Sequence, residues 1–282
     1  MRYKIRNMNV AVLLTVHNRR EKTLACLEKI YKQQLPACVS VDTYLTDDGC
    51  TDGTREAVRM QFPQVHIIDG DGSLFWNRGM IAAWNAAAES DYDFYLWLND
   101  DTFIYNDVLK RLLECSERHN DCAIVVGTTC ALNDVDTITY GGVRNGKLVT
   151  DISKEQKCTT FNGNIVLVPK NVYKLLGTND HYYRHSLGDY DYGLTATECD
   201  IDIWIAQGIM GECSRHERPT VWMDSSQSFS MRWKNFFSPV GNNPFEFFHF
   251  RKKHFGKVDA CKTFVSNFAH FLFPRFWDNI SI

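Results

Sequence analysis

No run of about 18 apolar residues occurs in the chain, so no helix is expected to span a bilayer. Charge of neither sign dominates: 31 Lys and Arg stand against 34 Asp and Glu, a formal net charge of −3. That balance argues against a dedicated nucleic-acid binder, which would carry a basic excess. Proline is scarce, at 7 in 282 residues, and no low-complexity linker or internal repeat interrupts the chain. Ten cysteines are present, but none forms a Cys-x-x-Cys pair, and a chain of this length needs no disulfide staples. Most are expected as packed small hydrophobes in a reducing, cytoplasmic compartment. Arg2, Lys4 and Arg6 precede a short apolar run ending at His17, which is not the pattern of a cleavable leader. Gly-x-Gly-x-x-Gly does not follow that run, and the P-loop, His-Glu-x-x-His and Gly-x-Ser-x-Gly patterns are missing. A Rossmann dehydrogenase, a P-loop enzyme, a zincin and an elbow-type serine hydrolase each lose their signature.

What is present is globular material, 44% hydrophobic and 23% charged, in a strand–loop–helix rhythm. Residues 9–16 (NVAVLLTV) read as a strand covered on both faces. Leu24, Leu27, Ile30 and Tyr31 recur at helical spacing, which predicts a helix over 21–33. Strands follow at 40–45, 65–68 and 94–98, separated by helices at 51–62 and 77–89. This alternation predicts an α/β fold, a mostly parallel sheet flanked by helices. In such sheets ligands sit beyond the carboxyl ends of the strands. The polar clusters at 15–18, 47–52, 69–73 and 99–101 all follow strands and should therefore share one rim. A helix from 108 and a strand at 123–127 continue the pattern. Residues 137–140 and 147–150 then read as a hairpin, 165–168 as a strand, and 198–207 as a helix with Ile201, Trp204 and Ile205 on its apolar face. The last helix is expected at 258–272.

Three acidic constellations carry the chemistry. Asn99-Asp100-Asp101 directly follows the apolar strand FYLWL. A hard divalent cation takes oxygen ligands and leaves room for phosphates. Asp101 is the candidate ligand, with Asp100 an alternative or a partner for a bound sugar; a solvated strand end would look the same. Thr46-Asp47-Asp48-Gly49-Cys50-Thr51-Asp52-Gly53-Thr54 adds a second acidic loop, where a carboxylate can accept from a base N–H, or Asp52 can simply cap a helix. Gly188-Asp189-Tyr190-Asp191 offers a loop carboxylate able to take a proton from a hydroxyl group, with capping again the plainer alternative. His181, His185 and His216 lie in polar surroundings from which each could enter a site. Cys199 and Cys213 read as packed thiols.

Taken in order, these segments resemble family 2 glycosyltransferases, the inverting enzymes with the GT-A nucleotide-diphospho-sugar transferase fold. VAVLLTVHNR is similar to the family's first strand and turn. Residues 46–54 match its Asp-Asp-Gly-Ser-Thr-Asp-Gly-Thr signature except at Cys50, and Asn99-Asp100-Asp101 stands where it carries Asp-x-Asp. Asp71-Gly72 and Trp76-Asn77-Arg78-Gly79 resemble its Gly-rich loop and following helix start, closest to bacterial rhamnosyltransferase-like members. Asn162-Gly163-Asn164 is similar to the acceptor-lining segment, and Gly188-Asp189-Tyr190-Asp191 to the motif carrying the base.

The resemblance implies a sugar transfer from a UDP- or dTDP-sugar to a hydroxyl, by a hexosyl- or deoxyhexosyltransferase of bacterial polysaccharide or lipopolysaccharide assembly. It implies Asp189 as base and Mn²⁺ or Mg²⁺ on Asp101, with His216 a second ligand. It assigns the donor to Thr15, Asn18, Arg19, Asp47, Asp48, Asp71, Asn77, Arg78, Asn99 and Asp100, and the acceptor side to Asn162, Gly163, Asn164 and Asp191. The expected division is a catalytic domain at 1–220, nucleotide-binding over about 8–127 and acceptor-side over about 128–220, then an aromatic and basic extension at 221–282. That extension suits peripheral contact with the inner face of a membrane, near a saccharide or lipid-linked acceptor, or a homodimer interface, or packing on the main domain. A sugar-nucleotide pyrophosphorylase-like nucleotidyltransferase and an inactive nucleotide-sugar-binding protein of the same fold are the rival readings.

Overall fold

The computed structural model describes residues 7–215 and 221–278. The chain runs β1 (Met8–Val16), α1 (Arg20–Tyr31), β2 (Val39–Asp47), α2 (Thr54–Gln61), β3 (His66–Asp69), α3 (Phe75–Ala88), β4 (Phe94–Leu98), β5 (Phe103–Ile104) and α4 (Val108–Arg118). It continues through β6 (Ile124–Ala131), β7 (Asp134–Tyr140), β8 (Gly142–Arg144), β9 (Lys147–Leu148), β10 (Gln156–Cys158), β11 (Thr160–Phe161), β12 (Ile165–Pro169), α5 (Lys170–Leu176), α6 (Gly188–Glu198) and β13 (Ile203–Glu212). Four helices close the chain: α7 (Phe229–Phe236), α8 (Pro244–Phe255), α9 (Lys257–Leu272) and α10 (Pro274–Asp278).

The main sheet has the order β10-β13-β6-β12-β4-β1-β2-β3, with β5 added on β13 and β7 on β6. Strands β3, β2, β1 and β4 are mutually parallel, and β12 enters antiparallel between β4 and β6. The apolar runs read as doubly covered strands because both faces are packed. Val10, Val12, Leu14 and Val16 of β1 join one core with Leu109 and Leu112 of α4. Ala11 and Leu13 join the other, with Met80 and Trp84 of α3 and Tyr192 and Ala196 of α6. The result is a GT-A-like α/β fold, a central sheet flanked by helices, followed by an aromatic-rich helical C-terminal region.

Three sequence expectations fail. Residues 198–207 are not a helix: the helix is α6, ending at Glu198, and Ile203 begins β13. Ile203 and Ile205 point into one core and Ala206 into the other, so period-two burial between β6 and β10 overrides a spacing of three and four that suits either element. Residues 137–140 also pair with β6 rather than with 147–150. The tight hairpin is β8–β9, closed by Asn145 and Gly146, both at positive φ as a primed turn requires. All ten cysteines are free, but only five are buried and three are exposed: Cys213 is packed as expected, whereas Cys199, also expected to be packed, is exposed.

The C-terminal helices are tied to the main body through α6. Asp191, 2% exposed, accepts from Tyr183 Oη at 2.9 Å and Lys253 Nζ at 2.7 Å, and meets His254 Nε2 at 2.9 Å. His254 Nδ1 lies 2.7 Å from Glu198, so one imidazole on α8 bridges both ends of α6. Burial alone would lower the His254 pKa, but the hydrogen bonds to Asp191 and Glu198 outweigh it and raise it. A raised folded value means this contribution is fully present below the ordinary histidine value of 6.5 and is lost as pH climbs through the raised one. His254→Gln is therefore expected to cost about 2 kcal/mol in urea unfolding at low pH, with the difference from wild type shrinking as pH rises.

Candidate active site

The parallel strands deliver their carboxyl ends to one rim. The next residues after β1 are His17 to Arg19, after β2 Asp48 to Cys50, and after β4 Asn99 to Asp101. Because β12 is antiparallel, its beginning lies at that same rim, with Ile165 opposite Leu98. Asn162, Gly163 and Asn164 thus abut the acidic segment, and Asn99 N donates to Asn164 O at 3.3 Å. A cleft of about 600 Å³ opens there, within the ordinary range for a small-molecule site.

Thr15, Arg19, Asp48, Asn99, Asp100, Asp101, Asn162, Gly163, Asn164 and Asp189 all line it. Arg19 Nη1 donates to Asp100 Oδ1 at 3.0 Å and to Asp101 Oδ2 at 2.9 Å. Two nearly buried carboxylates therefore share one guanidinium. Burial pushes Asp100 up to about 6, against the pull of Arg19. Asn99 Oδ1 accepts from Trp76 Nε1 at 2.7 Å.

Asp48 organises the adjoining loop. Its carboxylate accepts from Gly72 N, Leu74 N and Phe75 N at 2.9, 3.2 and 2.9 Å. The loop crosses so near that a Cβ on Gly49, itself at φ +69°, would lie 2.9 Å from Gly72 Cα. Thr15 packs equally closely on α3: a Cβ on Gly79 would come within 2.1 Å of Thr15 Oγ1.

Asp189 sits in the first turn of α6 rather than in a loop. Gly163 N donates to its Oδ2 and Tyr190 N to its Oδ1, both at 2.9 Å. Burial raises its pKa to about 6, opposed by those backbone bonds. Gly163 has to be glycine, since a Cβ there would meet Trp76 Cζ2 at 2.6 Å.

His185, one of the candidate histidines, also lines the cleft, and the other expected residues among those described lie outside its lining. Asp47 bonds Arg55 Nε at 2.7 Å and Cys50 N at 2.8 Å, which hold its carboxyl below the usual range despite burial. Asn18 caps the 51 loop through Thr51 N, and Asp71 bonds its own neighbour Ser73. Asn77 is fully buried, its amide donating to Asp180 O and Tyr183 O at 2.9 Å each. Arg78 donates to His181 O and lines a second cavity beside α8. Asp191 faces α8, as described above. His216 lies outside the described residues.

Sequence reasoning had no signal for Tyr140, the end of an edge strand, or for Val240, which reaches the cleft from the C-terminal region. Tyr190 and Phe75 also line it and were legible only as neighbours of Asp189 and Trp76. Away from the cleft, ligand atoms of Cys115, His119 and Glu155 lie within 4.8 Å of one another. There Glu155 already pairs with Arg118 and His119.

Among known proteins, the model of the family described as Glycosyl transferase family 2 matches residues 11–172, more than half of the chain. No curated protein matches. The crystal structure of S. aureus TarS 1-349 in complex with UDP-GlcNAc is similar, with a TM-score of 0.61 at 14% identity over 95% of this chain and 73% of that one. The crystal structure of S. aureus TarS has a TM-score of 0.58 at 13% identity and covers 88% of this chain. This chain spans 44% of that structure's length. At such identities the likeness shows the fold.

The Asp48 bonds give a direct test of the loop. Asp48→Ala strips acceptors from three backbone N–H groups and is expected to cost about 3 kcal/mol in urea unfolding, with Asp71→Ala, an exposed carboxylate in the same loop, costing under about 1 kcal/mol.

Proposed function

The chain belongs to glycosyl transferase family 2, and from that premise we propose that it is an inverting enzyme moving a sugar from a nucleotide-diphosphate sugar to a hydroxyl acceptor. The observation that carries this reading is the convergence of Asp48, Asp101 and Asp189, from three distant segments, on one cleft. A carboxylate with its pKa near 6 is basic enough to take a hydroxyl proton and is still ionised at neutral pH. Gly163 N and Tyr190 N fix its orientation.

In this mechanism Asp189 takes the acceptor's hydroxyl proton as that oxygen bonds to the anomeric carbon. The bond from that carbon to the diphosphate oxygen breaks on the opposite face, the nucleoside diphosphate leaves with the electron pair, and the configuration inverts. Asp48 serves by holding the 72–75 loop that walls the nucleotide end, and Thr15 by packing on Gly79 of α3. The acceptor side of this reading is the 162–164 segment, where Gly163 N holds Asp189 and Asn162 Nδ2 donates to Tyr190 Oη at 3.4 Å, while the Asn164 amide is turned to Thr102 and Cys213.

The resemblance implies a divalent cation, and the donor set suits a hard ion. Asp100 and Asp101 carry two carboxylates against one Arg19 guanidinium, which leaves charge for a cation to neutralise. Asp101, with Asp100, would hold it, and a bound ion would stabilise charge developing on the departing diphosphate.

A UDP- or dTDP-sugar is the donor to test first, since a protein of the same fold was solved with UDP-GlcNAc. The Trp76-Asn77-Arg78-Gly79 segment carries no donor identity, because Asn77 and Arg78 are spent on the 180–183 loop. Bacterial polysaccharide assembly and the division at about residue 220 belong to this proposal.

The test is product release and its pH dependence. Release of nucleoside diphosphate supports transfer, whereas pyrophosphate would mean a nucleotidyltransferase. The rate is expected to fall below pH about 6 as Asp189 is protonated, approaching about tenfold per pH unit well below that value. Asp189→Asn is expected to lose about 10²–10⁴-fold in kcat at every pH, and Asp101→Asn to weaken Mn²⁺-dependent nucleotide binding. Cys199→Ala, an exposed thiol away from the cleft, is expected to leave the rate unchanged. Full activity in Asp189→Asn overturns the assignment of the base.

A further inference from the structure

We propose that the C-terminal helices form a docking face for an anionic lipid surface at the edge of the cleft, so that the acceptor hydroxyl is presented from a membrane-bound lipid. The acceptor part rests on the transfer reading above; the docking part does not. Eleven of the sixteen exposed large apolar side chains among the described residues fall between Phe229 and Phe276. On α9, Val258, Val265 and Leu272 recur every seven residues and so share one helical face, at 71%, 67% and 49% exposure. Lys262 lies on that face between the two valines. At its far end Phe229 and Trp233 of α7 pack on buried Phe271 at 5.3 and 5.8 Å, while both stay about half exposed, which extends the patch across two helices.

Charge decides the occupant. Lys234, Lys252, Lys257 and Lys262 are exposed. The only acids between 229 and 276 are Glu246, buried on Arg184, and Asp259, held by Arg251. A second copy laid face to face through these helices would set their lysines against one another. Anionic headgroups neutralise the same lysines while the valines and aromatics enter the acyl boundary, with the lysine stems reaching back to the headgroups. Among the described residues no helix is long and apolar enough to cross a membrane, so the contact is a surface one.

The face is joined to the site. Val240 lines the cleft, and Phe245 and Glu246 of α8 line the neighbouring cavity with Arg78 and Arg184. Helix α8 in turn holds α6, which carries Asp189, through His254 and Lys253. Docking through α7 and α9 would hold the helical region that contributes Val240 to the cleft against the bilayer, the arrangement that a lipid-linked acceptor hydroxyl calls for.

The experiment is co-sedimentation of the full chain with phosphatidylcholine vesicles, with and without about a quarter phosphatidylglycerol. Binding is expected on the anionic vesicles, to be lost without phosphatidylglycerol, and to fall at about 0.5 M salt, where headgroup charge is screened. Lys257→Ala with Lys262→Ala is expected to weaken it about twentyfold, and Val265→Asp with Leu272→Asp to abolish it. These sites are exposed, and unchanged melting by circular dichroism verifies that each variant folds. Absence of binding on anionic vesicles, or variants that bind as wild type does, overturns the proposal. So does a stable dimer in sedimentation velocity that Val265→Asp dissolves. No sugar transfer is measured, so a failure here leaves the transfer reading standing, and a failed transfer assay leaves vesicle binding to be judged by itself.

Discussion

The antiparallel pairing of β12 with β4 is the constraint on which the site depends. Parallel strands β1, β2 and β4 could place three polar turns on one rim without help. A fourth parallel strand would have put Asn162 to Asn164 on the opposite rim. Because β12 runs the other way, with Ile165 opposite Leu98, its beginning faces the end of β4. Gly163 then stands between Trp76 and Asp189, donating its N–H to the carboxylate and leaving room for the indole. The register of two buried strands thus sets the position of a base that belongs to a helix some 25 residues later in the chain.

The buried acids divide by how their charge is met. Asp47 and Asp191 have basic side chains of their own, Arg55 in one case and Lys253 with His254 in the other, and both are held below the ordinary range. They act as ties, one between β2 and α2 and the other between α6 and α8. Asp100 shares its cation with Asp101, and Asp189 has only backbone N–H groups, so desolvation wins and both rise to about 6. Incomplete compensation makes a carboxylate available for protons and cations, and both of these raised acids line the cleft, whereas Asp47 and Asp191 do not.

The C-terminal helices are coupled to this arrangement from outside. The imidazole of His254 reaches both ends of α6, so the orientation of the helix that bears Asp189 depends on α8 being docked. The same helices leave an apolar and basic surface uncovered on their other side. On α9, Val258, Val265 and Leu272 stay exposed, each a burial gain that the proposed docking would realise.

Much of the fold was legible along the chain because its strands are buried on both faces and read as unbroken apolar runs, as NVAVLLTV does. Asp48, Asp101 and Asp189 could be singled out along the chain only by their order within segments that resemble the family's motifs, since each acidic cluster alone reads as well as a cap or a solvated strand end. The strand at 203–212 was not, since Ile201, Trp204 and Ile205 satisfy helical and extended spacing alike and only pairing with β6 and β10 decides between them. Nor was the division of labour among the acids. Asp47 and Asp48 are adjacent and chemically identical, and Asp189 and Asp191 are two residues apart with the same carboxylate. Which of each pair meets the cleft and which meets a cation depends on the alternation of a strand, the turn of a helix and the residue packed opposite. By itself the sequence determined the order of elements and the presence of carboxylates at their ends, because both follow from local pattern. Only the tertiary structure decided which carboxylates stayed poorly neutralised, because neutralisation depends on partners such as Arg19, Arg55 and His254 that arrive from elsewhere in the chain.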